Sequence, residues 1–322
     1  MIVHPSAPPP VIIAGPTAVG KSQLALAVAQ RVPAEIIVAD SMQVYCGLDI
    51  ATDKPTLRER AAVPHHLLDI CEPHESFSAF AFAAAARTAV DSTQRRGKLP
   101  ILVGGTGLYL RAFLKGDLAG GGGDSTLRAR LKTEATQIGA PALHARLAAR
   151  DPVSAQAIRP GDLFRIIRAL ELCETTGQTA STLRPGLWDP PRRPLAGFLV
   201  LTRAREELAQ RIALRSARMW DAGLLEEVRA LLARGVPSEC RALQSIGYRQ
   251  AVAVLAGRMT LEAAQEDLVR ATRQYAKRQL TWFRREPAAE WITVSGDDWA
   301  DSLADRLAVR WGTAAHAVTG CA

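Results

Sequence analysis

Along the first hundred residues, short apolar runs alternate with longer stretches whose apolar positions recur every three or four residues. The short runs are Val11–Ala14 and residues 35–39, 66–70 and 100–103. They are apolar throughout rather than at every second position, which suits strands of a parallel sheet covered on both faces. Between them, residues 21–31 and 79–96 have helical spacing and length. Strand–helix alternation of this kind predicts a doubly wound α/β domain.

The pattern changes after Lys115. Residues 120–123 are four consecutive glycines, which neither a helix nor a strand would hold. Residues 124–182 are almost wholly helical in character, and residues 185–194 form a proline-rich return. Further strands are expected at 197–201 and 291–294, separated by long helices. The simplest organisation is an α/β core of residues 1–118 and 197–322, interrupted by a helical insertion domain at 119–196.

The first strand runs into Gly15-Pro16-Thr17-Ala18-Val19-Gly20-Lys21-Ser22, which fits G-x-x-x-x-G-K-[ST] between a strand and a helix. Glycine at its first and sixth positions opens backbone geometries closed to other residues, so that amides can curl around a phosphate at the positive end of the helix. Lys21 adds a point charge, and the Ser22 hydroxyl suits Mg²⁺ shared with phosphate oxygens. The core is therefore expected to be P-loop NTPase-like. The motif means phosphate or diphosphate binding and does not specify ATP.

In nucleotide-hydrolysing members of that fold a later strand ends in an Asp that helps hold Mg²⁺. Here the best candidate strand, residues 99–103, runs into Gly104-Gly105-Thr106-Gly107 without a carboxylate, which counts against a motor ATPase or a GTPase. The second strand ends instead in Asp40-Ser41. Ligands collect beyond the carboxyl ends of such strands, so Asp40 should lie beside the phosphate loop as a candidate general base. An aspartate after a strand is also a common cap or turn residue.

Residues 266–285 read as one long helix with two stripes. Leu268, Thr272, Tyr275, Gln279 and Trp282 should pack inward, and Arg270, Arg273, Lys277 and Arg284 should face out, with Arg278 and Arg285 alongside. Arg128, Arg130, Lys132, Arg146, Arg150, Arg159, Arg165 and Arg168 enrich the insertion in the same way. Such faces are often no more than solvated surface. With 40 Lys and Arg against 32 Asp and Glu the chain carries a net charge of +8, so an anionic partner is favoured, and two basic surfaces on separate lobes suit a nucleic acid.

Composition removes other classes. At 48% apolar and 22% charged, the 322 residues can bury a core, which rules out wholesale disorder. No run reaches the ~18 apolar residues of a membrane span, so no membrane partner is expected. The first Lys or Arg is Lys21, so a positively charged signal start is lacking. Five scattered cysteines without a C-x-x-C pair argue against a disulfide framework or a zinc site and fit a reducing, cytoplasmic setting.

Several segments together resemble the tRNA dimethylallyltransferase (tRNA isopentenyltransferase) family of bacterial type. They are GPTAVGKS at 15–22, ADSMQVYCGLDIATDKP at 39–55, PHHLLDI at 64–70, LVGGTGLYLRA at 102–112, RIIRALE at 165–171, IGYRQ at 246–250 and TRQYAKRQLTWFRR at 272–285. The resemblance spans most of residues 11–295. Ala51 and Asp53 replace a usual Gly and Ala, Gly161 a usual Asn, and Thr202 a frequent Asp.

The resemblance implies transfer of the dimethylallyl group of dimethylallyl diphosphate to N6 of adenosine 37, just 3′ of a tRNA anticodon. The phosphate loop would then hold the donor's diphosphate, with Mg²⁺ as cofactor and Ser22 as its ligand. It casts Asp40 as general base near N6, with Thr17, Lys21, Arg211 and Arg215 serving the leaving group. It also implies tRNA contacts by Asp40, Ser41, Met42, Gln43, Thr106, Arg128, Phe164, Arg165, Ile166, Ile167, Arg168, Arg273, Lys277 and Arg278. Tyr109, Phe164 and Trp282 are candidates to stack on bases, although each also reads as core. A monomer acting on the tRNA anticodon loop is expected. The rivals are a small-molecule kinase with ATP in the loop, and a non-catalytic RNA-binding protein with a nucleotide switch.

Overall fold

The computed structural model describes residues 8–115, 124–183 and 193–316. Its first part runs β1 (Val11–Ala14), α1 (Lys21–Ala29), β2 (Ala34–Val38), α2 (Leu57–Ala62), β3 (His65–His66), α3 (Ala79–Arg95), β4 (Leu99–Gly104) and α4 (Gly107–Lys115). Then come α5 (Ser125–Arg150), α6 (Pro152–Ala157), α7 (Leu163–Thr176) and α8 (Ala180–Leu183). The last part is β5 (Gly197–Thr202), α9 (Arg205–Asp221), α10 (Leu224–Ala233), α11 (Tyr248–Leu255), α12 (Leu261–Phe283), β6 (Glu290–Thr293) and α13 (Trp299–His316). The glycine run and most of the proline-rich return lie outside the described residues. By compactness the chain divides into Met1–Leu114 with Pro190–Ala322, and Lys115–Asp189, where the sequence placed the insertion at 119–196.

All six strands pair in parallel, in the order β3-β2-β4-β1-β5-β6. Successive side chains point to opposite faces, and both faces are covered. Ile13, Val38, Ile101, Val103 and Leu199 pack with Leu24 and Val28 of α1 and Leu307 and Trp311 of α13. Ile12, Ile37, Leu102, Phe198 and Val200 pack on the other side with Phe82 and Val90 of α3 and Leu110 and Phe113 of α4. Each such side chain contributes ~1.5–3 kcal/mol by leaving water, so the runs are almost wholly apolar, and the buried Glu35 of β2 is bonded to His66, Thr93, Arg96 and Lys98. The chain leaves β1 toward β2 on one side, and β5 joins β1 on the other. This leaves a crevice beyond the carboxyl ends of β1, β2 and β4.

One expected strand is largely absent. Of residues 66–70, only His66 belongs to β3. Leu67 (φ 65°) and Asp69 (φ 53°) are left-handed, which takes the chain out of the sheet. Asp69 is turned to receive Lys54 Nζ at 2.5 Å and Arg60 Nη1 at 2.8 Å, while the backbone of residues 69–71 bonds to residues 43–46 instead of β2.

The unit Lys115–Asp189 has its own core of Leu131, Leu143, Leu147, Ile166, Leu170 and Cys173. Its long helix α5 is broken at Gly139 (φ 82°), where the second segment restarts with Pro141 in its first turn.

Candidate functional site

The phosphate loop is shaped by its glycines and held from outside. Gly15 (φ 143°) lies so close to β5 that a Cβ there would meet the Leu201 carbonyl oxygen at 2.6 Å. Gly20 (φ 109°) caps the start of α1 in a left-handed conformation. The carbonyls that the loop turns outward take arginines: Arg203 Nε donates to Val19 O at 3.0 Å, and Arg211 Nε to Ala18 O at 3.1 Å. Arg203, which follows β5, is buried, pairs with Glu207 and lies over the Trp299 ring.

A cleft of about 290 Å³ opens beyond the strand ends. Thr17, Lys21, Ser22, Asp40, Gln43 and Arg215 line its polar side, and Ala25, Leu26, Ile36, Val38 and Val103 its apolar side. The expected meeting of the phosphate loop with the end of β2 is thus present. Lys21 Nζ donates to Pro16 O at 2.7 Å. Burial, and next the neighbouring Arg215 guanidinium, push the Lys21 ammonium down to about 8, against weaker support from Asp40 and Asp53. Asp40 Oδ1 accepts from Met42 N at 2.8 Å and Gln43 N at 3.4 Å. Asp40 is therefore both a turn residue and a cleft residue, and the two sequence readings describe one side chain.

The two arginines of α9 divide. Arg215 Nη1 donates to Thr17 Oγ1 at 2.8 Å and stands 3.5 Å from Asp53 Oδ2. Arg211, one turn earlier, does not line the cleft: its guanidinium is committed to Ala18 O and to Asp297 at 2.6 Å. It braces the loop's outer side. Asp53, where the resemblance leads one to expect alanine, adopts a left-handed turn (φ 57°) that carries its carboxylate to Arg215.

Three supports escaped the sequence reading. Gln279 of α12 accepts from Thr17 N at 2.8 Å and donates to Gly105 O at 3.0 Å, tying the phosphate loop to the β4–α4 turn. Lys54, its side chain almost wholly buried, binds Tyr45 O at 2.6 Å and Asp49 at 2.8 Å as well as Asp69. Glu227 accepts from Ile50 N at 3.1 Å and from the Tyr248 hydroxyl at 2.6 Å, and burial raises its carboxyl above the usual range despite these bonds. Lys54 and Glu227 together fix the turn that brings Thr52, Asp53 and Pro55 to the cleft. A glutamine on the inward stripe of α12 was the one available signal, because a buried amide needs partners. The other supports bind backbone groups and side chains distant along the chain, whose proximity only the fold creates.

Among the residues assigned to tRNA, Thr106 Oγ1 accepts from Ser41 N at 3.1 Å, which joins the β4–α4 turn to the segment following β2. Arg273, Lys277 and Arg278 are exposed on α12, with Arg278 5.7 Å from the centre of the Tyr275 ring. Arg270 on the same face is paired with Asp267. In the helical unit Phe164 is 80% exposed and Arg165 is open to solvent, but Ile166 and Ile167 are buried in that unit's core. Their side chains cannot meet RNA, because they fall on the inner stripe of α7. The insertion's arginines are also less available than expected. Glu171, buried, receives Arg128 and Arg168, and Glu174 receives Arg130 and Arg146. Tyr109 is core, its ring stacked 4.4 Å from Phe82 and its hydroxyl donating to Phe77 O at 3.0 Å. Trp282 is half-buried against Gly107.

The cleft suits a metal shared with a ligand better than one held by protein alone. Ser22 presents a hydroxyl, and among the described residues no group of three or more His, Cys, Asp and Glu could hold an ion. No helix of the described residues is long and apolar enough to cross a membrane.

Comparison with known proteins adds sequence relatives to this geometry. A family model described as IPP transferase matches residues 43–286, and one described as isopentenyl transferase matches residues 10–72. A tRNA dimethylallyltransferase of Anaeromyxobacter sp. (strain Fw109-5) is 49% identical over 300 residues, covering 92% of this chain and 98% of that protein. One from Thermobifida fusca is 46% identical over 296 residues, covering 90% and 92%. The crystal structure of the tRNA isopentenylpyrophosphate transferase of Bacillus halodurans superposes with a TM-score of 0.66 at 38% identity, over 95% of this chain and 97% of that one. A eukaryotic dimethylallyltransferase captured acting on tRNA superposes with a TM-score of 0.80 at 28% identity, over 92% and 77%.

Proposed function

The chain belongs to the tRNA dimethylallyltransferase family, and from that premise we propose that it moves the dimethylallyl group of dimethylallyl diphosphate to N6 of adenosine 37 of tRNA. The reaction class, prenyl transfer to tRNA, comes with the family. The donor and the acceptor atom are what the family resemblance implies, and the roles of individual residues are read from the cleft.

One observation carries the assignment: an anion cradle and a carboxylate share a single cleft with an apolar wall. Thr17, Lys21, Ser22 and Arg215 provide the cradle, Asp40 the carboxylate, and Ala25, Ile36, Val38 and Val103 the wall. A diphosphate bearing a five-carbon chain matches that division. The adenine amino group is a weak nucleophile, so the reaction depends on stabilising the departing diphosphate. Lys21 and Arg215, which line the cleft, would stabilise that charge, in a site where such donors act more strongly than in water. Ser22 would help hold Mg²⁺, which would supply charge to neutralise the leaving group. As the carbon–oxygen bond breaks and the N6–carbon bond forms, Asp40 takes the N6 proton, a contribution typically of ~10²–10⁴ in rate. Oδ1 is held by the backbone, which fixes the carboxylate's direction. To reach this depth the adenine must leave its stack, at a cost of a few kcal/mol. Contacts of RNA phosphates with Arg273, Lys277 and Arg278 offset that cost.

The test is incubation with unmodified tRNA and labelled dimethylallyl diphosphate, with and without Mg²⁺, followed by nucleoside analysis. Label in N6-(dimethylallyl)adenosine at position 37 supports the assignment. ATP-dependent phosphorylation of a metabolite, with no isoprenoid on RNA, would replace it with the kinase reading.

A further inference from the structure

Nothing in the chemistry above accounts for a glutamine on the inner face of a helix whose outer face is basic. Gln279 is buried, and both ends of its amide are used, on two segments more than 170 residues away in sequence. Oε1 holds the backbone N–H of Thr17 inside the phosphate loop, and Nε2 holds Gly105 O beyond β4. Thr17 is therefore gripped twice, at its amide by Gln279 and at its hydroxyl by Arg215. The neighbouring turn is cut to fit. A Cβ on Gly105 would lie 2.1 Å from Gln279 Nε2, and one on Gly107 would lie 2.1 Å from the Trp282 ring. Tyr275, Gln279 and Trp282 are spaced four and three residues apart, so one stripe of α12 is pressed onto the loops that close the cleft. The hydroxyl of Tyr275, pushed up to about 12 by burial and next by Asp40, stays protonated beside Thr106 and Gln279. Arg273, Lys277 and Arg284 stand exposed on the opposite stripe.

We propose that Gln279 is a positioning residue that couples RNA docking on α12 to the geometry of the diphosphate loop. The inference rests on the prenyltransferase reading given above. An α-helix moves as a rigid element, so RNA phosphates that settle its outer face also settle its inner stripe. Gln279 delivers that restraint to the Thr17 amide on one side and the Gly105 turn on the other. The donor then meets a loop already in its binding shape. By linkage, tRNA tightens the donor and the donor tightens tRNA by the same factor. If Gln279 were only a structural link, its loss would weaken donor binding equally with and without RNA.

The experiment compares wild type with Gln279→Met, which keeps the bulk and removes both hydrogen bonds. The affinity of an unreactive dimethylallyl diphosphate analogue is measured by calorimetry with and without saturating unmodified tRNA. In wild type tRNA is expected to tighten the analogue by about 5-fold or more, and in Gln279→Met the factor should fall to near 1. A wild-type factor of 1, or a full factor in the variant, overturns the proposal. Should the variant not fold, hydrogen exchange of the segment 12–22 in wild type decides. Slower exchange on adding tRNA alone supports the coupling, and unchanged exchange rejects it. Prenylation of tRNA by the wild-type protein is scored in parallel. Its absence sinks the functional reading, whereas its presence with no coupling sinks only the role of Gln279.

Discussion

At Lys21 two electrostatic demands meet. The ammonium must be charged to receive a diphosphate, yet burial and the adjacent Arg215 favour its neutral form and bring it down to about 8. In the free protein Lys21 loses its proton as pH rises through about 8. A bound diphosphate restores the opposite charge and raises that value again. Donor binding at pH 8–9 should therefore take up protons, up to one per site, while binding at pH 6.5 should not. Calorimetry in buffers of differing ionisation enthalpy measures the uptake, and its absence in that range would mean that Lys21 does not contact the diphosphate. Asp40 gives a second test. Asp40→Asn keeps a side-chain oxygen for Met42 N but cannot accept a proton. Turnover should fall by ~10²-fold or more with tRNA affinity little changed. Near-normal turnover would remove Asp40 from proton transfer.

The elements show how much of this the sequence made legible. Strands β1, β2 and β4 and the phosphate loop were readable because two-sided burial and left-handed glycines each leave a residue signature. The outer and inner faces of α12 were readable from helical period. The brace formed by Arg211, the Lys54 anchor and the Glu227 grip were not, since their partners, backbone groups and side chains alike, are brought near only by the fold. In α7 the error has a different cause: a whole segment, residues 164–168, was assigned to RNA, although a helix shows only part of any five-residue run to one side. Ile166 is core and Phe164 is 80% exposed, and this difference predicts opposite outcomes. Ile166→Ala should cost ~2–5 kcal/mol of stability through an internal cavity. Phe164→Ala should leave stability within about 0.5 kcal/mol and, if its ring stacks on a base, weaken tRNA binding by ~1–3 kcal/mol. Urea unfolding and tRNA titration on the two variants would separate these effects.

Over the whole molecule, a net charge of +8 is spread unevenly in how freely it can act. Many of the insertion's arginines neutralise their own glutamates, and the outer face of α12 begins with Arg270 offset by Asp267. Beyond it, Arg273 and Lys277 make no ion pair with any described residue, so they can release counterions when RNA phosphates replace solvent. Each phosphate contact on single-stranded RNA adds about 0.7 to the slope of log affinity against log salt. Lys277→Ala should therefore lower that slope by about 0.7, and the double change with Arg273→Ala by about 1.4. Arg270→Ala should lower it by less, because Asp267 already answers that charge. The measurement is tRNA affinity from 50 to 200 mM salt, the range over which such contacts are resolved. Equal slopes for wild type and the double variant would show that α12 faces away from the RNA. The coupling assigned to Gln279 would then lose its input, even if prenyl transfer to tRNA were intact.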